Sequence, residues 1–168
     1  LIFYNDKHDT YKLLINHFIK NGHFEDAFIE NELLKSKILL HSLKPNAEKY
    51  FNSAQIKTNL QNIANNHCYV SFATTLDTVI IFLYSSSTKM IYKSINQADI
   101  DFKKWKSDWN SYLKIFNNNE AGVNLLKILG ESIGNTIHHF CKSNFLNRII
   151  ISPDSTLMSV PIHAAFLS

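Results

Sequence analysis

The chain is poor in residues that break or cross-link a fold. Four glycines and three prolines in 168 residues exclude collagen-like repeats and proline-rich linkers. Two cysteines, Cys68 and Cys141, are too few for a disulfide framework, and neither sits in a Cys-x-x-Cys step. The opening residues lack a signal-peptide pattern, and no apolar run reaches the ~18 residues that a membrane-spanning helix needs. These absences predict a soluble protein in the reducing cytoplasm with no membrane partner.

Charge of one sign is also scarce. The net charge is +3, with the cations spread along the chain. Lys103, Lys104 and Lys106 form the densest group, interleaved with Asp101 and Asp108. Phosphate backbones are bound by a concerted patch of cations, so this stretch reads as a solvated helix face. Nucleic-acid binding through 103–114 is the disfavoured alternative.

What the chain does have is apolar material: 45% hydrophobic residues, with 12 Phe and 7 Tyr, enough for a packed core. The first segment predicts a helical hairpin. Asp6 or Asp9 could cap a helix carrying Tyr11, Leu14, Ile15, Phe18 and Ile19, which Asn21-Gly22 ends. The second helix opens on Glu25 and Asp26, carries Phe24, Ala27, Phe28, Leu34, Ile38 and Leu39, and stops at Lys44-Pro45. Such a pair is the unit of a helical solenoid and expects neighbours.

Beyond Pro45, Ser53 could cap a helix bearing Ile56, Leu60 and Ile63. Three β-rich runs follow, around Tyr69–Phe72, 78–84 and 90–95, and predict an antiparallel meander. Two longer helices are expected over 99–116 and 120–142, the second with Gly130 and Gly134 suggesting close packing. A short apolar strand over 148–151 then meets Ser152-Pro153-Asp154. The order predicts an α/β layered sheet with flanking helices behind a helical repeat.

No active site can be assembled from these residues. His138 and His139 are adjacent and diverge on a helix, and His17, His23 and His41 have no ligand partners at metal spacing. Cys68 follows His67 on a strand, and Cys141 stands at a helix C-terminal turn where the dipole raises a thiol's pKa; both read as buried structural cysteines. The acidic pairs Glu25/Asp26 and Glu30/Glu32 read as the wet face of the hairpin, and Trp105 and Trp109 as a core stripe. No catalytic, cofactor-binding or metal-ligating residue is therefore assigned.

Three segments, taken in order, carry a further pattern. The first is Glu25-Asp26-Ala27-Phe28 with Glu32, Lys35-Ser36-Lys37 and Leu39-Leu40. The second joins Ile56, Leu60 and Gln61 to Tyr69-Val70-Ser71-Phe72, Asp77 and the strand that follows. The third runs from Arg148 through Pro153-Asp154-Ser155 to Val160-Pro161-Ile162-His163-Ala164-Ala165-Phe166. Together they resemble the CHAT family, caspase-like cysteine peptidase domains associated with tetratricopeptide repeats; the third segment is similar to the family's strand, Pro-Asp-Gly turn and Leu-Pro-Phe-x-Ala-Leu stretch, with Ser155 for Gly and Ile162 for Phe.

The resemblance implies a tetratricopeptide-like hairpin over 1–45 and the N-terminal part of a caspase-like domain over 46–168. The family's His/Cys dyad lies downstream of the Pro-Asp segment, and His163 occupies a variable position, so no catalytic role passes to this chain. The implied role is scaffolding of a downstream catalytic half, coupled to partner-sensing repeats. The implied partners are other proteins, through upstream repeats, and the rest of the caspase-like domain. The alternative is a degenerate scaffold or regulatory interaction module without peptidase activity. A first residue that is not Met and a last segment that is apolar suggest a piece of a longer protein.

Overall fold

A computed structural model of the chain describes residues 2–43, 51–63, 66–75, 78–86, 88–96 and 130–154. The expected helix over 99–116, the lysine cluster, both tryptophans and the segment after Asp154 lie outside them, as does most of the first half of the 120–142 helix.

The described elements form an α/β arrangement: four helices, two of them an N-terminal pair, around a four-stranded mixed sheet. Helices α1 (Ile2–Lys20) and α2 (Phe24–Leu43) are followed by α3 (Ser53–Ile63). Strands β1 (Cys68–Thr74), β2 (Thr78–Ser85) and β3 (Thr88–Asn96) come next. A π-helical turn, Gly130–Gly134, leads into α4 (Asn135–Ser143), and β4 (Ile149–Ser152) completes the sheet.

The turn between α1 and α2 is where the sequence expects it. His23 N–H donates to the Phe18 carbonyl at 2.9 Å and Gly22 N–H to that of Ile19 at 3.1 Å. This closure needs a left-handed residue, and Gly22 supplies it at φ +77°. The other end of α1 differs: the helix begins at Ile2, so Asp6 and Asp9 lie within it and do not cap it. The cap of α3 sits one residue before the expected Ser53. Asn52 Oδ1 accepts from Gln55 N–H at 2.9 Å, and Asn52 N–H donates to Gln55 Oε1 at 3.0 Å, a reciprocal capping box.

The meander is as predicted, with β1–β2 and β2–β3 antiparallel. Strand β4 lies beside β1 in parallel, Cys68 opposite Ile149 and Ser71 opposite Ser152, giving the order β3-β2-β1-β4. The apolar run of β4 predicts an interior strand. Among the described residues β4 is instead an edge, half-exposed along its length with Ile149 38% exposed.

Alternation along the strands divides the core in two. Val70, Phe72, Val79, Ile81 and Leu83 face α4, meeting Ile133, Ile137 and Phe140. Tyr69, Ala73, Ile80 and Phe82 face the other way, onto Ile15, Ala27, Phe28 and Leu33 of the hairpin and Ile56 and Leu60 of α3. Covering on both faces explains why β1 is buried throughout. At the far edge Phe24 stacks on Tyr92 with ring centroids 3.9 Å apart.

Candidate functional site: a buried polar joint between hairpin and sheet

The hairpin helix α2 does not present a purely apolar face to the sheet. Phe28, Asn31, Glu32 and Lys35 stand at i, i+3, i+4 and i+7, one stripe of a helix. Phe28 packs among aromatic rings, its centroid 5.5 Å from that of Phe82 and 6.2 Å from that of Tyr69. The next positions of the stripe carry polar groups into the interface. Glu32, expected on the wet face, is buried, as is Asn31.

Burial of a carboxylate requires compensation, and the strands provide it. The Tyr69 hydroxyl donates to Glu32 Oε2 at 2.6 Å, and the Ser71 hydroxyl donates to Oε1 at 2.5 Å. Lys35 Nζ completes the ion pair at 3.0 Å from Oε1. The same ammonium donates to Ser71 Oγ at 2.8 Å, to the Ser152 carbonyl at 2.8 Å and to Ser152 Oγ at 3.0 Å. Asn31 Nδ2 donates to Ser71 Oγ at 2.9 Å and to the Phe72 carbonyl at 3.1 Å. Three elements, α2, β1 and β4, therefore meet on one carboxylate and one ammonium.

The electrostatics follow from this enclosure. Burial holds the Lys35 ammonium below its ordinary pKa, and the Glu32 and Asp154 charges oppose that shift without reversing it. Burial pushes the Tyr69 phenol up, and the adjacent Glu32 charge pushes it further. A lysine of lowered pKa 2.8 Å from a serine hydroxyl has the ingredients of a general base and its nucleophile. The surroundings argue against that use. Ser71 is fully buried, its own proton is committed to Glu32, and its oxygen accepts from both Asn31 and Lys35. A cavity of about 490 Å³ lies elsewhere, between the α1–α2 turn, α3 and the end of β2, lined by Phe24, Phe28, Lys57, Leu60 and Tyr84. The polar cluster is a joint.

His17 and His23 flank the Phe18 ring, with His23 Nδ1 3.4 Å from Asp26. His138 and His139 are both exposed on α4. Cys68 and Cys141 are both buried and free, in one core cluster. The neighbouring Cys141 thiol and burial hold Cys68 above the ordinary thiol range. The neighbouring Cys68 thiol pulls Cys141 down, against the opposing effect of burial.

The joint was hidden because acidic residues on a hairpin usually face water. Its signal was the recurrence of Asn31, Glu32 and Lys35 on the stripe begun by Phe28, opposite a serine within an apolar strand. No family model matches the chain, and neither a curated protein nor a solved structure does.

Proposed function

We propose that this chain is the non-catalytic front portion of a CHAT-type cysteine endopeptidase. Its tetratricopeptide-like hairpin is coupled to a caspase-like sheet that scaffolds a downstream His/Cys half. The observation that carries the reading is Lys35, which grips the backbone of Ser152 from the second hairpin helix. Ser152 ends β4 and immediately precedes Pro153-Asp154, the turn at which the resemblance is most specific. A displacement of α2 by a bound partner would reach that turn through one buried ion pair and its hydrogen bonds. Leu13, Leu39 and Leu43 are more than half exposed on the hairpin, apolar surface that adjoining repeats would cover.

The test uses a polypeptide extended beyond Ser168 with its own natural sequence. The proposal expects a His-Gly motif and a later Cys there, labelling of that Cys by thiol electrophiles, and peptide cleavage once the activating partner is supplied. Absence of the dyad, or an extended protein that neither labels nor cleaves, refutes the peptidase reading and leaves a scaffold or regulatory module.

A further inference from the structure

We propose that the cleft between the α1–α2 turn, α3 and the end of β2 binds a small organic cation, an ammonium carried on an aromatic or short aliphatic body. At about 490 Å³ its volume lies within the ~300–1,000 Å³ typical of small-molecule sites. The inner lining is apolar. Phe28 and Leu60, 1% and 5% exposed, stand beside the partly buried Tyr84 and Met90. The Phe28 and Tyr84 ring centroids lie 5.5 Å apart, and Phe24 adds a third ring, held by its stack on Tyr92. An apolar body is desolvated against these groups, and ring faces attract a cation brought among them.

The rim supplies the charge. Among the described residues that line the cleft, Glu25 and Asp26 of α2 stand against a single lysine, Lys57 of α3. His23 aside, the lining therefore carries one net negative charge. Lys57 Nζ pairs with Glu25 Oε1 at 2.5 Å, and both side chains are more than half exposed. The contact to Asp26 is looser: His23 Nδ1 stands 3.4 Å from Oδ2, beyond the ~2.7–2.9 Å of a charge-assisted hydrogen bond. The N-terminus of α2 offsets about half a charge, and both carboxylates lie in that first turn. An anion entering here meets two carboxylates, whereas an ammonium meets Asp26 at the mouth with ring faces behind it.

The inference is independent of the peptidase reading, since it concerns only residues of this chain. The isotopically labelled 168-residue chain is titrated with phenethylammonium, benzyl alcohol and phenylacetate, which share a ring and differ in charge, and amide chemical shifts are followed. Phenethylammonium should saturate one site with a dissociation constant of about 1 mM or tighter, shifting amides around Phe24, Phe28, Lys57 and Tyr84. Benzyl alcohol should bind more weakly, and phenylacetate weakest of the three. Asp26→Asn should weaken phenethylammonium about fivefold, and Lys57→Met, which removes the competing cation, should tighten it about two- to fivefold. Failure of phenethylammonium to saturate, phenylacetate binding as tightly, shifts centred away from the cleft, or either folded variant binding like the wild type would each overturn the proposal. Both substituted side chains are more than half exposed, and the wild-type ranking of the three probes decides the question should either variant fail to fold.

Discussion

Replacing Lys35 by Met tests the polar joint most directly. Methionine keeps an unbranched side chain of similar length and removes the ammonium. Glu32 then keeps its hydroxyl donors, Tyr69 and Ser71, but loses its counter-charge, and the Ser152 carbonyl loses the Lys35 proton. The Glu32 side chain is 8% exposed and that of Lys35 17%, so solvent screens the pair far less than a surface one. Breaking a buried pair from one side costs about 3–5 kcal/mol, a large share of the ~5–15 kcal/mol that stabilises a typical domain. Urea unfolding at pH 7, followed by far-ultraviolet circular dichroism, should show the midpoint falling with the slope unchanged. In a Glu32→Gln background the same Lys35→Met change should cost less, because no carboxylate is left unpaired, with a coupling of about 1–3 kcal/mol. A Lys35→Met loss below about 1 kcal/mol, or additive single and double variants, would refute the claim that this pair joins hairpin to sheet.

Further expectations concern pH, backbone and core. Tyr69 keeps its proton in the folded chain above its ordinary value of 10.0, so the unfolded chain releases it first and stability is lost as pH rises through 10. Tyr69→Phe should remove that component, up to about 1.4 kcal/mol per pH unit, in urea midpoints measured from pH 9 to 11; parallel profiles would contradict it. Gly22→Ala meets no atom within 4 Å yet must hold φ +77°, and should cost about 1–2 kcal/mol in thermal unfolding. Phe145→Gly should act oppositely. Phe145 holds φ +54° at the end of α4 with its side chain 96% exposed, so glycine relieves strain at little packing loss and should stabilise by about 0.5–1 kcal/mol. Phe28→Ala, at a site 1% exposed, should cost about 3–5 kcal/mol in the same urea assay.

The parts of the fold legible in the sequence are those governed by local physics. The Asn21-Gly22 stop, the β-branched and aromatic strand runs and the breaks between them all depend on near neighbours, and each appears where the pattern places it. The α3 cap was legible to within a residue: Asn52 and Ser53 are both good caps, and the Gln55 side chain decides in favour of Asn52; the caps expected for α1, Asp6 or Asp9, instead lie inside that helix. The joint was not legible, because whether Glu32 faces water depends on β1 and β4 arriving beneath it. Its partners Tyr69, Ser71 and Ser152 lie 37 to 120 residues away.

That return also sets an order of assembly. The hairpin, α3 and the meander are built from contacts among the first ~100 residues, whereas β4 must cross back to pair Ile149 with Cys68. Ring closure over so long a span is slow compared with hairpin or helix formation. During synthesis from the N-terminus, Lys35 would already be held against Glu32 and Ser71 while the main chain that it finally grips was still emerging. The docking of β4 is therefore expected to be the late event in folding, completed onto a partly prepared polar socket.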